Sequence, residues 1–157
     1  MDKKKTIGWK EWVSLPAIHI PAIKAKIDTG ARTSALHTFQ MERFSKDGKD
    51  IVRFQIHPLQ KNTGNLIACE SEILDMRTVK DSGGHKEERI FIQTPVTLHE
   101  KTWDIEISLT SRENMLFRML LGRTALISGA MVVSPELKYT AGRKLETIYE
   151  HNPDKAL

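Results

Sequence analysis

Cysteine is almost missing from this chain. Cys69 stands alone among 157 residues, which excludes an internal disulfide framework and a cysteine-built zinc site. Long apolar runs are missing too, and nothing approaches the roughly 20 residues that a membrane-crossing helix needs. The lysine-rich start, Met1-Asp2-Lys3-Lys4-Lys5, leads into no apolar signal segment, so a cytoplasmic protein with no membrane partner is expected. Aromatic residues make up 6%, and no basic stripe is interleaved with them, which argues against nucleic acid as a partner. Glycine-rich phosphate loops of the Gly-x-x-x-x-Gly-Lys-Ser/Thr or Gly-x-Gly-x-x-Gly kind are absent, and with them the usual means of holding ATP. His99-Glu100-Lys101-Thr102-Trp103 begins like a metalloprotease helix, but Trp103 stands where the second ligand belongs. No metal and no other cofactor is expected.

What remains fits one globular domain, with 39% hydrophobic and 28% charged residues and a net charge of +4. Strand signals dominate. Trp9 to Leu15 reads as a first strand ending at Pro16. Ile23, Ala25 and Ile27 alternate with Lys24 and Lys26, the period of a half-buried strand that delivers Asp28 to its end. Val52, Phe54 and Ile56 alternate before Pro58, and the runs Arg89 to Gln93 and Val96 to Leu98 flank Pro95. Trp103, Ile105, Ile107 and Leu109 share one face of a further strand, and Met115 to Leu121 reads as a strand buried on both sides. Helix signals are limited to a short turn over Thr124 to Ile127 and a terminal stretch over Arg143 to Glu150. The expected fold class is all-β, with a loose N-terminus over 1–8, a domain over 9–139 and a C-terminal tail over 140–157.

Two segments carry chemistry. Asp28-Thr29-Gly30-Ala31 closes the alternating strand, and Leu120-Leu121-Gly122-Arg123 comes late in the chain. By itself the first reads equally as a strand-ending turn in which Asp28 caps the following segment. The alternative is catalysis. A carboxylate at a strand end is rigidly held, Thr29 offers a hydroxyl, and Gly30 admits close backbone approach. Hydrolysis of a peptide bond by carboxylates needs two, one to take the water's proton and one to hydrogen-bond the scissile carbonyl. The chain has only one Asp-Thr-Gly, so a second copy is expected to supply the partner, most economically across a two-fold axis.

These segments, with Ser34, Leu36 and Leu126, resemble the retropepsin-like aspartic peptidases, single-lobe homodimeric relatives of pepsin. More closely, with Trp9, Val13, Arg118, Met119 and Asp81-Ser82-Gly83-Gly84-His85, the chain is similar to a bacterial group labelled ATP-dependent zinc proteases. Members of that group often sit beside ATP-grasp ligases that add glutamate to proteins. The resemblance spans Trp9 to Tyr139. It implies a single-lobe acid-protease barrel with one short helix, functioning as a homodimer on a peptide or protein substrate, with a functional link to those ligases. Asp28 would be catalytic, Thr29, Gly30 and Ala31 would shape its loop, and Leu121, Gly122 and Arg123 would support it. Ser82, Gly83, Gly84 and His85, between Val79 and Ile90, would tip a flap hairpin, although Asp-Ser-Gly-Gly also surrounds the nucleophile of serine proteases. One departure stands out. Arg32 occupies the place where retropepsins carry an Asp that pairs with the late Arg, so Arg32 and Arg123 must find other partners: an acid such as Glu70, Glu72 or Asp104, or backbone carbonyls. The rival readings are a catalytically silent peptide-binding module and a metal-dependent hydrolase.

Overall fold

Alternation is the rule that builds this molecule. In the segment Ile20–Asp28 the side chains of Ile23, Ala25 and Ile27 are buried while Lys26 is exposed, so one face enters the core and the other meets solvent. The computed structural model describes residues 3–59, 66–80, 83–111, 116–143, 145, 148 and 149. Its elements, in chain order, are β1 (Lys5–Ile7), β2 (Lys10–Leu15), a 3-10 turn (Pro16–Ile18), β3 (Ile20–Asp28), β4 (Ser34–His37), β5 (Phe39–Lys46) and β6 (Lys49–Ile56). There follow β7 (Ile67–Glu72), β8 (Asp75–Lys80), β9 (Lys86–Leu98), β10 (Lys101–Thr110), β11 (Met119–Gly122), α1 (Arg123–Ser128) and β12 (Met131–Val133). Among the described residues no helix is long and apolar enough to cross a membrane.

The largest sheet runs β10-β4-β11-β3-β2-β9-β8, and β9 pairs with β10 as well, so the order returns on itself. Closure is weak at one seam, where β2 meets β9 through the single pair Ser14 and Thr97. The expected barrel is therefore realised only in part. β8 hangs outside the ring on the long β9, β5-β6-β7 form a separate antiparallel sheet, and β1 pairs in parallel with β12. The two runs flanking Pro95 are in fact one strand, with Pro95 opposite Asp104 of β10. A proline is tolerated there because β2 touches β9 only at Thr97, leaving little ladder for a missing N–H to break. Met115, placed in a strand by its apolar neighbours, lies outside the described residues, and that strand begins at Met119.

One apolar core unites the sheets. Val13, Leu15, Ile23, Leu36, Ile92, Ile107, Met119 and Leu121 from the main sheet pack with Val52, Phe54 and Ile56 of β6. A smaller cluster of Trp12, Ala22 and Tyr149, with Tyr139 and Leu145 against it, lies under the C-terminal segment.

Described residues within both segments expected to be loose are tied to the fold. β1 already pairs at Lys5, so the ordered fold begins ahead of Trp9. Beyond residue 139 the chain is fastened by Glu11, whose side chain is fully buried among strand residues. Its carboxylate accepts from the Gly8 N–H (2.7 Å), the Thr140 N–H (3.0 Å) and hydroxyl (2.6 Å), and the Ala141 N–H (3.1 Å). His99 Nε2 lies 2.9 Å from the Thr140 hydroxyl oxygen, and since that hydroxyl donates to Glu11, the imidazole N–H is the donor. Tyr149 binds the backbone of Ala22 with its phenol, which both donates to the carbonyl and accepts from the N–H. Part of the terminal stretch 143–150, including Lys144 and Glu150, lies outside the described residues.

Candidate active site

Asp28 ends β3 half-buried, followed by the exposed Thr29 and Gly30. One carboxylate oxygen, Oδ1, accepts from the backbone N–H of Gly30 (3.0 Å) and of Ala31 (3.2 Å). This is the turn that an Asp favours locally, and it fixes the carboxylate with Oδ2 left to other work. The loop is braced from a distant part of the chain. The Arg123 N–H donates to the Ala31 carbonyl (2.7 Å), the Thr124 N–H to that of Arg32 (3.0 Å), and the Arg123 guanidinium to that of Thr29 (2.9 Å). Of the partners open to Arg123, it takes a backbone carbonyl. Arg32 is exposed on the cleft wall. Glu70 and Glu72 belong to the separate β5-β6-β7 sheet.

Gly122 explains how the two segments meet. It is level with Asp28 in the parallel β3–β11 pair, and its N–H donates to the buried Ser34 hydroxyl at 3.0 Å. A Cβ there would lie 2.6 Å from the Thr33 carbonyl carbon and 2.9 Å from the Ser34 nitrogen, so only glycine lets β11 come this close. Leu121, fully buried, anchors the same strand in the core. α1 is seated just as closely. A Cβ on Gly129 would strike the Trp103 ring at 2.4 Å, and Trp103 Nε1 donates to the Ala125 carbonyl (3.1 Å).

A cleft of about 1170 Å³ opens beside the loop, walled by Ala31, Arg32 and Thr33 and by Thr124, Ala125 and Ser128 of α1. Its floor follows the register. Phe91 pairs with Ser108, Ser108 with Ala35, Ala35 with Leu120, a row of side chains on one face across β9, β10, β4 and β11. Asp28 and Gly122 belong to the next row on that face, two residues along, so the carboxylate stands at the rim of the cleft.

The far wall is the β8–β9 hairpin. Its stem, Arg77 to Lys80, lines the cleft, while Gly83, Gly84 (φ +86) and His85 lie at the tip and Ser82 lies outside the described residues. Arg77 covers the Phe91 ring at 4.4 Å and reaches across β9 to Glu106 (3.0 and 3.4 Å) while holding Asp75 (3.0 Å). The Asp75 carboxyl is held below its ordinary range by Arg77 and by the Met76 N–H. Cations prevail on the walls. Arg32, Arg77, Lys80 and Arg89 face Asp104 and Glu106, and among the described residues Arg32 and Lys80 have no acidic partner. Apart from Arg32 and Asp104, these residues escape a reading of the sequence, because long-range register and not local pattern brings them together. His99 and Glu100 form the turn between β9 and β10 instead of a helix.

A strand-end Asp-Thr-Gly braced by a Gly-Arg step, beside a cleft walled by a glycine-tipped hairpin, defines a retropepsin-like aspartic peptidase architecture. The family comparison points the same way. The chain belongs to the RimB-like family, described as retropepsin-like aspartic endopeptidase RimB, whose profile matches residues 6–144. A crystal structure of a Legionella pneumophila protein of unknown function superposes with a TM-score of 0.73 at 27% identity, covering 87% of this chain and 97% of that one. Among curated proteins, a probable alpha-L-glutamate ligase of Desulfotalea psychrophila is 42% identical over 139 residues, covering 88% of this chain and 30% of the relative. One from Shewanella pealeana is 40% identical over 143 residues, covering 91% and 31%. The chain thus spans about a third of the length of the curated relatives it matches.

Proposed function

We propose that this chain is an aspartic endopeptidase whose active form is a homodimer, with the two Asp28 carboxylates meeting across the two-fold axis. The observation that carries this reading is the braced Asp28 loop at the rim of a cleft large enough for an extended peptide. Two carboxylates in contact cannot both ionise, so the pair holds one proton. The ionised member takes a proton from water as its oxygen attacks the scissile carbonyl, and the protonated member hydrogen-bonds the carbonyl oxygen. The tetrahedral adduct then collapses, the C–N bond breaks, and the proton taken from water passes to the leaving amine. Ile127, 72% exposed on α1 one turn after Arg123, gives the loop face an apolar residue for a second copy to cover.

The cationic cleft walls favour a substrate rich in carboxylates. That fits a link to the glutamate ligases with which this domain shares its sequence: a ligase builds acidic chains and the peptidase shortens them. The test is Asp28→Asn, which keeps the size of the side chain but can neither accept nor share the proton. Turnover of acidic peptides should fall to background while the fold and the dimer persist, and a chelator should leave the parent's rate unchanged. Turnover surviving Asp28→Asn but lost to a chelator would transfer the reaction to a metal. A parent that binds acidic peptides without cleaving them would be a silent binding module.

A further inference from the structure

The three bonds that reach the Asp28 loop from afar all come from Arg123 and Thr124, the first two residues of α1. Whatever fixes α1 therefore fixes the loop. The helix does little of this by itself, since six residues are too few to persist as a helix alone in water. Gly122 at its N-cap brings no side chain to the free N–H groups, its first turn carries no acid, and its last turn carries no base. Leu126 enters the core and sets how deeply the helix sits. Its rotation and its place along the axis are set from β10. β4 pairs with β10 only from Ile107 onward, and ahead of that point Trp103 reaches across to α1. The indole Nε1–H donates to the Ala125 carbonyl at 3.1 Å. The ring lies under Gly129, where a Cβ would stand 2.4 Å from Cζ2 and 2.5 Å from Cε2. Lys101 Nζ adds a bond to the Gly129 carbonyl at 3.0 Å. Trp103 is itself held in place: it is level with Val96 in a ladder of eight consecutive β9–β10 pairs, and it packs against the core.

We propose that Trp103 is a positioning residue for Asp28, acting through α1. The indole grips the helix at Ala125 and Gly129, and the start of the same helix grips the carbonyls of Thr29, Ala31 and Arg32. The N–H groups of Gly30 and Ala31, between those carbonyls, hold the carboxylate. Trp103 is not among the residues that line the cleft, so its influence passes through the helix. Six residues of helix span only about 9 Å, so a displacement at the indole is delivered to the loop with little loss. A shift of about 1 Å in a reacting group costs up to about a hundredfold in rate. The proposal rests on reading Asp28 as the reacting carboxylate, but one arm of its test needs no turnover.

The test disturbs one contact from both sides in the full chain. Trp103→Phe removes the donor and the outer part of the ring, and Gly129→Ala drives a methyl group into the ring from the helix. Each should raise amide hydrogen exchange at Arg123 and Thr124 roughly tenfold or more, while exchange at Ile23 and Ala25 of β3 stays within about twofold. Trp103→Leu clears the space that the methyl group needs. Gly129→Ala should therefore change exchange far less when added to Trp103→Leu than when added to the parent. Trp12→Phe, in the separate cluster under the C-terminal segment, also loses a buried indole and should leave Arg123 and Thr124 as they are. With an acidic peptide as substrate, Trp103→Phe should lower kcat about 10- to 100-fold and change KM by less than about threefold. A parent without turnover would remove the peptidase reading, and the exchange result would then decide the role of Trp103 alone. Parental exchange at Arg123 and Thr124 in Trp103→Phe would overturn the proposal, whether or not Gly129→Ala folds. So would an equal rise in Trp12→Phe, or an unchanged kcat in an active enzyme whose α1 amides have lost protection.

Discussion

Removing the Glu11 carboxylate should loosen the two segments it ties together, at Gly8 and at Thr140 and Ala141. The perturbation is Glu11→Gln, with Glu11→Ala beside it. Four hydrogen bonds reach this carboxylate, three from backbone N–H groups and one from a hydroxyl, in a side chain with no solvent exposure. A hydrogen bond to a charged group contributes about 1.5–3 kcal/mol, against roughly 1 for a neutral one. In Glu11→Gln one oxygen becomes an NH2 group facing donors. Ala141 N–H alone meets Oε1, whereas Gly8 and Thr140 converge on Oε2. The amide must therefore place its oxygen at the Oε2 position and sacrifice Ala141, for a loss of about 2–3 kcal/mol. Glu11→Ala leaves every donor without its acceptor and adds a small cavity. Because residues 140 and 141 are half-exposed and water can reach them, about 3–5 kcal/mol is expected and not the full sum. For a domain whose whole stability is about 5–15 kcal/mol, that is a large share. Urea unfolding with the m-value held as a check gives the difference, and hydrogen exchange should show the loss centred on residues 137–141 and β1. Glu11→Gln within about 0.5 kcal/mol of the parent, the spread of ordinary surface substitutions, would refute the reasoning.

Two further outcomes follow from contacts elsewhere in the fold. Arg123→Lys keeps a charge but loses the planar group that reaches the Thr29 carbonyl, so about 1 kcal/mol of stability should go, and with it a measurable part of the affinity of the proposed dimer. Sedimentation equilibrium beside thermal melts checks this, and parity of both Arg123→Lys and Arg123→Met with the parent would make Arg123 a bystander. His99 is held below its ordinary pKa by burial and by Lys5, so at mildly acidic pH the unfolded chain takes up a proton that the folded one refuses. Stability should therefore be full above about pH 6.5, the unfolded value, and fall as pH drops through the folded value, and His99→Gln should flatten that slope in urea titrations at stepped pH.

Much of the frame was legible in the residues. β3, β6 and the first half of β10 announce themselves because each buries one face more than the other over several residues. Asp28 and Gly122 could be joined from motif alone, and the register later set them level. β5 could not be read, since nearly every residue of Phe39–Lys46 is exposed and no alternation survives. β1 and β12 are too short to show a period, and each exists because the other is there to pair with. Glu11 gave no signal at all. A glutamate between a lysine and a tryptophan looks like a solvated position, and only the return of the chain near Thr140 makes it an interior one. The cleft was equally hidden, as Arg77, Phe91 and Glu106 meet through strand pairings that no local pattern encodes.

The bracing of the Asp28 loop has a consequence in time. The groups that hold it belong to Gly122, Arg123 and Thr124, with 94 residues separating Thr29 from the guanidinium that binds it. Contacts so distant along the chain form late, after their loop-closure entropy has been met by other structure. A nascent or partly folded chain carries the Asp-Thr-Gly tripeptide but not its geometry. The carboxylate becomes a positioned group only when β11 has docked, so the fold itself withholds the site until nearly the whole domain has been made.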